Sequence, residues 1–278
     1  MSDQYAVIGH PISHSKSPWI HGEFAQQLNE DITYSLLDSD PSPEIFSKVV
    51  QEFIAKGAKG LNVTVPFKQE AWAMADELSD HAKLAGAVNT LSFTADGRVR
   101  GDNTDGVGLI RDLSHNQGIV LSGKRVLILG AGGAVRGVIQ PLLEQQVAQI
   151  HIVNRTVQKA TDLAELFNDI GCVSAGGYKD LANIGGFDVI INGTASSLSG
   201  ELPPLVPSII ADSCHAYDMM YAAQKTVFEI WCSNNGVASV SNGLGMLVEQ
   251  AAESFLIWRG VRPETRSVLT ELSKQLST

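Results

Sequence analysis

The clearest chemical signal in the chain is Val126-Leu127-Ile128-Leu129-Gly130-Ala131-Gly132-Gly133-Ala134, where a continuous apolar run breaks into glycines and passes into a helical pattern. Such a run fits a buried parallel strand, so the stretch predicts a strand, a tight turn and a helix N-terminus. Gly130 and Gly132 allow the turn and let the backbone approach a pyrophosphate, which exposed N–H groups and the positive end of the helix dipole can hold. The third glycine of a full G-x-G-x-x-G is replaced by Val135, so we expect the helix to stand farther from the sheet or to tilt. A second strand pattern, Gln149 to Asn154, lies one helix length downstream and ends in Asn154-Arg155-Thr156, with Lys159 beyond it. A carboxylate at that strand end usually bonds a ribose 2′-hydroxyl. Two cations and no carboxylate favour a 2′-phosphate instead, and therefore NADP(H) over NAD(H).

Further polar groups collect at other strand ends. The strand Tyr5 to Ile8 runs into Gly9-His10-Pro11-Ile12-Ser13-His14-Ser15-Lys16-Ser17-Pro18, a loop dense in hydroxyls, imidazoles and a lysine that suits a polyhydroxylated or anionic small molecule. Ser17-Pro18 also reads as N-cap and first residue of a helix to about Leu28. Leu61-Asn62-Val63-Thr64-Val65-Pro66-Phe67-Lys68 is a strand ending in proline, which places Thr64 and Lys68 at its carboxyl end, where ligands of open α/β sheets bind. In Ala85 to Phe93 the polar pair Asn89-Thr90 interrupts an apolar strand. Asp96-Gly97 turns it back toward Gly101-Asp102-Asn103-Thr104-Asp105-Gly106.

The elements that must position these groups alternate as β-α-β-α. Strands are expected at Tyr5 to Ile8, Thr33 to Leu37 and Leu61 onward, with helices from Pro43 to about Lys56 and from Gln69 to Leu78. Past Lys159 come a helix to about Asn168, Cys172-Val173, a helix near Tyr178 to Asn183, strands Phe187 to Asn192 and Ile209 to Asp212, a surface loop from Ala195 to Pro207, and helices Thr226 to Ser233 and Met246 to Trp258. The fold class is α/β with two domains: an N-terminal substrate domain with a mostly parallel mixed sheet, residues 1–105 plus 244–278, and a Rossmann-type dinucleotide-binding domain, residues 106–243, with a cleft between them. Such a cleft is the usual place for a small-molecule pocket.

Composition narrows the partners. A formal net charge of −10 over 278 residues argues against nucleic acid or an anionic membrane surface, both of which need a cationic face. The three cysteines, Cys172, Cys214 and Cys232, are too few and too scattered for a disulfide framework or a zinc site, and read as reduced, buried residues of a cytoplasmic protein. No signal-peptide pattern and no apolar stretch near the ~20 residues of a membrane span are present. No clustered metal-ligand spacing and no G-x-S-x-G elbow point to metal or hydrolytic chemistry.

Taken together, these motifs resemble the shikimate dehydrogenases over nearly the whole chain. The loop 9–18, the strand 62–68, Ala85-Gly86-Ala87-Val88-Asn89-Thr90, the hexapeptide 101–106, the glycine turn, Asn154-Arg155-Thr156, Tyr217-Asp218-Met219-Met220-Tyr221 and Gly243-Leu244-Gly245-Met246-Leu247 carry the resemblance. It implies NADPH-dependent reduction of 3-dehydroshikimate to shikimate, in aromatic amino-acid biosynthesis, by a monomer more readily than a homodimer. Carried over by position, Lys68 and Asp105 are the catalytic pair, and Ser15, Ser17, Thr64, Asn89, Tyr221 and Gln250 hold the substrate. Gly130, Ala131, Gly132, Gly133, Ala134, Asn154, Arg155, Thr156, Lys159, Met219 and Gly243 surround the cofactor, and Asp80 falls near a carboxylate sometimes assigned to it. The family often has Asn at Gly22, Arg at Lys159 and Asp at Asn242. Lys159 therefore offers a point charge in place of a bidentate fork.

The residue types suit that reaction. Hydride delivered to a ketone carbon leaves a developing alkoxide, which needs a proton donor within hydrogen-bond reach. A lysine ammonium, protonated at neutral pH, is such a donor, and an aspartate beside it can orient it and accept a hydrogen bond from a substrate hydroxyl. A quinate/shikimate dehydrogenase using NAD as well is the nearest alternative. A non-catalytic nucleotide-responsive regulator on the same fold is a remote one, because such a protein is expected to have lost Lys68 or Asp105. If Arg155 reads the 2′-phosphate, Arg155→Asp raises the Michaelis constant for NADPH far more than that for NADH in initial-rate assays; equal increases would dismiss that role.

Overall fold

A computed structural model describes residues 2–194, 196 and 200–277, and these divide into two compact units. The first comprises residues up to Gly108 together with Val248–Leu269; the second comprises Leu109–Leu247 and the residues from Thr270 onward.

The first unit holds β1 (Asp3–Gly9), α1 (Ser17–Leu28), β2 (Ile32–Asp38), α2 (Pro43–Ala55), β3 (Gly60–Val63), α3 (Lys68–Met74), β4 (Glu77–Leu78), α4 (Asp80–Ala85), β5 (Thr90–Phe93) and β6 (Val99–Asp102). Its sheet runs β2-β1-β3-β5-β6-β4. The first three strands are parallel, β5 is antiparallel to both β3 and β6, and β4 is parallel to β6. Local signals explain most boundaries. Ser42 caps α2 by accepting from the Ile45 N–H, with Pro43 at the first turn, and Gly86 ends α4 in the left-handed conformation. Ala6, Ile8, Phe46, Val50, Leu61, Phe67, Val88 and Leu91 form one buried cluster between the sheet and its helices.

Several boundaries differ from the sequence expectation. The helix beginning near residue 69 starts at Lys68 and stops at Met74, because the chain then turns into β4. A further helix, α4, occupies Asp80–Ala85, capped by the Ser79 hydroxyl, so the following strand begins only at Thr90. Ser17 is the first residue of α1 and Lys16 its N-cap, with no side-chain cap.

The second unit continues from α5 (Asp105–Arg111), which straddles the division, through a π-helical turn at Asp112–Asn116 to β7 (Arg125–Leu129), α6 (Gly133–Glu144), β8 (Gln149–Val153), α7 (Val157–Glu165), β9 (Val173–Gly176), β10 (Phe187–Asn192), β11 (Ile210–Asp218), α8 (Val227–Asn234) and β12 (Ser239–Asn242). All its strands are parallel, in the order β12-β11-β10-β7-β8-β9. That is the doubly wound dinucleotide-binding topology, with its strand order reversing between β7 and β10. The segment expected to be a helix at Tyr178–Asn183 is 3₁₀, β11 runs on to Asp218, and β12 was not expected. In the expected surface loop, Ala195 and residues 197–199 lie outside the described residues, and Pro207–Ile209 is a 3₁₀ turn.

Two helices complete the chain, α9 (Leu244–Arg259) and α10 (Arg266–Ser277). The divisions at 108/109, 247/248 and 269/270 fall inside α5, α9 and α10. The expected polar hexapeptide boundary and the assignment of all of 244–278 to the first unit are therefore displaced. Leu244 packs with Tyr221 and with Ser273 and Leu276 of α10 around one recess, which explains why both helix ends group with the second unit. Cys214 and Cys232 are buried, and burial pushes both thiols up to about 12, whereas Cys172 is exposed, contrary to expectation, in the turn before β9.

His21 of α1 is wholly buried and stacks on Tyr34 with ring centroids 4.3 Å apart, within an aromatic group that includes Phe24, Phe255 and Trp258. Burial lowers its pKa to about 3, a shift only partly opposed by the Asn62 side chain. An unfolded histidine titrates near 6.5, so between these values the unfolded chain binds the extra proton. The contribution of neutral His21 is thus complete above about pH 6.5 and is lost as pH falls toward 3, on the order of 5 kcal/mol in all. His21→Phe, keeping an aromatic ring there, should flatten the decline of unfolding free energy between pH 6.5 and 4 in urea titrations. An unchanged slope would show that other groups govern it.

Candidate active site

The polar ends of the first unit's strands converge on Lys68 and Asp105. Lys68 is the first residue of α3 and Asp105 the first of α5, and Lys68 Nζ donates to Asp105 Oδ2 at 2.5 Å. Their side chains are 27% and 14% exposed, so the pair opens to solvent without being surrounded by it. A fully solvated pair is worth little, whereas a sheltered one holds its geometry.

Asn89, at the start of β5, organises the surrounding groups. Its Nδ2 donates to Asp105 Oδ1 and to Thr104 Oγ1, both at 2.9 Å, and lies 3.4 Å from Gln250 Oε1. Its Oδ1 accepts from the Thr104 backbone N–H at 2.9 Å. A backbone N–H can only donate, so that contact fixes which end of the amide is oxygen and aims the NH₂ at the carboxylate. The Asp105 backbone N–H donates to Asn103 Oδ1, and Asn103 Nδ2 to the Ala87 carbonyl, which anchors the start of α5.

The structure thus joins Lys68, Asn89, Asp105 and Gln250 directly. Ser15 Oγ accepts from the Ser17 N–H at 3.3 Å, and Ser17 is buried while Ser15 is half-buried. The loops after β1 and β3 are tied by the His10 N–H donating to the Val65 carbonyl, and a Cβ at position 9 would lie 2.5 Å from Thr64 Cγ2, so glycine lets Thr64 approach. Tyr221 belongs to the second unit, where it lines a recess with Gln224, Lys225, Asn242 and Ser273; burial raises its hydroxyl pKa. Asp80 is exposed on the first turn of α4 and pairs with Lys83 at 3.0 Å.

Sequence reasoning gave no role to the residues beneath this cluster. Asn62, Thr90 and Ser254 are buried and mutually hydrogen-bonded, and Ser254 follows Gln250 by four residues on α9, one helical turn along the same face. That spacing was the signal available for Ser254.

In the second unit, Gly130 ends β7 at φ +105°, its N–H donating to the Val153 carbonyl, and Gly132 is the extended N-cap of α6 with no side chain capping the helix. A Cβ at Gly132 or Gly133 would meet nothing within 4 Å, so the first amides of α6, with Ala131 and Ala134 alongside, face open space. Val135 does not hold the helix away from the sheet by an exposed side chain. It is wholly buried, and its Cγ2 lies 2.3 Å from where a Cβ on Gly193, just past β10, would be. The glycine absent from the helix stands on the neighbouring strand end. Gly193 also bonds its N–H to the Leu129 carbonyl, and Met219 and Gly243 continue this rim, the Gly243 N–H donating to the Met220 carbonyl.

Beyond β8, Asn154 Nδ2 donates to the Thr156 carbonyl at 2.9 Å and closes the turn that carries Arg155. Arg155 and Lys159 are exposed and make no side-chain hydrogen bond or ion pair among the described residues; the charge of Arg155 reaches the half-buried Tyr178. The nearby Asp180 carboxylate is engaged by the Gly177 N–H at 2.8 Å. An open, uncapped helix N-terminus with two free cations one strand away fits a dinucleotide carrying a 2′-phosphate. Among the described residues no group of three or more His, Cys, Asp or Glu is placed to hold a metal ion, and no helix is long and apolar enough to cross a membrane.

Known proteins give the same architecture. Family models match residues 7–91 as the shikimate dehydrogenase substrate binding domain, 112–199 as shikimate/quinate 5-dehydrogenase and 243–272 as the shikimate 5′-dehydrogenase C-terminal domain. The shikimate dehydrogenase (NADP(+)) of Hahella chejuensis is 54% identical over 270 residues, covering 97% of this chain and 98% of its own, and that of Cellvibrio japonicus is 53% identical over 278 residues, covering 99% of each. Among solved structures, an Ael1 enzyme from Pseudomonas putida superposes with a TM-score of 0.93 at 43% identity over 98% of both chains. The Thermus thermophilus shikimate 5-dehydrogenase, in complex with NADP(H) and shikimate, gives 0.84 at 30% identity over 99% of each. With matches of this extent in both units, the chain belongs to the shikimate dehydrogenase family.

Proposed function

We propose that this protein catalyses the reversible NADPH-dependent reduction of 3-dehydroshikimate to shikimate, the step of chorismate and aromatic amino-acid biosynthesis that its family performs. The observation that carries the reading is the 2.5 Å Lys68–Asp105 pair held by Asn89 beside Gln250. NADPH, when bound, supplies the hydride to the ketone carbon. The residues proposed to hold it are Gly130 to Ala134 at the pyrophosphate, Asn154, Arg155, Thr156 and Lys159 at the 2′-phosphate, and Met219 and Gly243 at the rim; Asp80 is a further, peripheral candidate.

The chain's own groups do the remaining work. Lys68 Nζ gives a proton to the oxygen that becomes the new hydroxyl, and in the oxidative direction takes it back. Asp105 keeps the ammonium oriented and accepts from a neighbouring substrate hydroxyl, while the Asn89 and Gln250 amides bind the remaining hydroxyls with Thr64. Ser15, Ser17 and Tyr221 provide hydroxyl donors for the substrate carboxylate. A ring with several hydroxyls and one carboxylate suits this set of neutral donors, one cation and one anion. The same reading places the protein in the cytoplasm, as a monomer more readily than a homodimer.

Initial rates of shikimate and quinate oxidation, each with NADP and with NAD, test the assignment directly, with activity expected for shikimate with NADP. Lys68→Ala should lower kcat by about 10²–10⁴-fold while NADPH affinity, measured by nucleotide fluorescence, stays near that of the parent protein. Retained turnover in that variant, or lost NADPH binding, would remove Lys68 from the chemical step.

A further inference from the structure

Thr90 is wholly buried, so it touches no ligand, yet its hydroxyl sits at the centre of the hydrogen-bond network under the reacting pair. Asn62 Nδ2 donates to Thr90 Oγ1 at 3.1 Å, Ser254 Oγ is 2.8 Å away, and Thr90 Oγ1 lies 3.0 Å from Asn89 Oδ1. The orientation of Asn62 is fixed from outside the network, because the Asn89 carbonyl 3.2 Å from its Nδ2 can only accept, and the Tyr34 hydroxyl donates to its Oδ1 at 2.7 Å. A hydroxyl has one proton and two lone pairs. Asn89 Oδ1 can only accept, so its bond with Thr90 uses the Thr90 proton, while the Asn62 amide takes a lone pair of the Thr90 oxygen and Ser254 Oγ, itself 3.1 Å from the Gln250 carbonyl, lies beside it.

We propose that Thr90 is a positioning residue for the reaction: its proton, together with the Thr104 N–H, locks the Asn89 carboxamide in the orientation that donates to Asp105 Oδ1. This rests on the reading of Lys68 and Asp105 as the reacting pair. Valine at position 90 would fill the same space in a buried strand and leave Asn62 its bonds to the Asn89 carbonyl and Ser254, and Ser254 its bond to the Gln250 carbonyl, but it would take a donor from Asn89 Oδ1. The Asn89 amide would then keep its orientation through the Thr104 N–H and hydroxyl only, and would be aimed less firmly at the carboxylate.

Kinetics of Thr90→Val, Thr90→Ser, Asn89→Ala and the Thr90→Val/Asn89→Ala double variant test this. Thr90→Val is expected to lower kcat/KM for shikimate about tenfold, the effect of one mispositioned hydrogen bond, and Thr90→Ser, which keeps the proton, to stay within about twofold of the parent. In the Asn89→Ala background Thr90→Val should have no further effect, because its target is gone. NADPH affinity should be unchanged throughout. A lowered Tm with unchanged kcat and KM, or effects of the two substitutions that multiply, would overturn the proposal. If Thr90→Val does not fold, Thr90→Ala carries the same test, and failure of both to fold assigns Thr90 to stability alone. Lys68→Ala separates the two readings: if it retains turnover, the reacting pair was misassigned; if it does not and Thr90→Val is silent, only the role of Thr90 falls.

Discussion

Burial of the strand ends in the first unit leaves every polar group there dependent on a protein partner. Asn62, Asn89, Thr90, Thr104 and Ser254 are all less than 9% exposed. An unpaired polar group at such depth costs about 1–3 kcal/mol, so the set is stable only when donors and acceptors are matched throughout. The Asn89 orientation fixed by the Thr104 N–H presents an N–H to Asp105. The orientation of a charged pair near solvent is thereby decided by neutral amides and hydroxyls that solvent does not reach. Placing the polar network below the ion pair also separates two demands: the ammonium and carboxylate stay accessible, while the groups that aim them are rigid.

The second unit reaches its function by other means. The anion site proposed there would consist of backbone amides at an uncapped helix end, shaped by Gly130 at positive φ and by the absence of side chains at Gly132 and Gly133. Arg155 and Lys159, both exposed, bring charge from beyond β8. A site of main-chain groups depends on packing beneath it, which is where Val135 and Gly193 meet.

Much of this was legible in the sequence, for identifiable reasons. The glycine turn, the cations after β8 and the polar ends of β3 and β5 are local patterns, and each lies on an element of the expected type, although β3 already ends at Val63 and β5 begins only at Thr90. The exact ends of the strands around Lys68 were harder to read: α4 is a short helix whose cap at Ser79 and stop at Gly86 are weak signals beside an apolar run. The network beneath the pair was not legible, because its bonds join residues far apart in sequence; Asn62 and Ser254 are separated by 192 positions. Beyond its place one helical turn after Gln250, nothing local distinguishes Ser254 from any serine on an amphipathic helix. The same holds for Asp112, a buried carboxylate that accepts from the Tyr217 hydroxyl at 2.6 Å, 105 residues away.

The contact between Val135 and Gly193 bears on how such a chain can change over generations. A helix glycine and a strand-end glycine are two solutions to one steric problem, and the two positions are not independent. Enlarging residue 193 while valine stands at 135 forces backbone or side chain to yield, whereas shrinking residue 135 first leaves only a small void. The permitted order of steps therefore runs through position 135. Descendants of either solution would carry one glycine or the other, and a fingerprint that demands the helix glycine alone would overlook half of them.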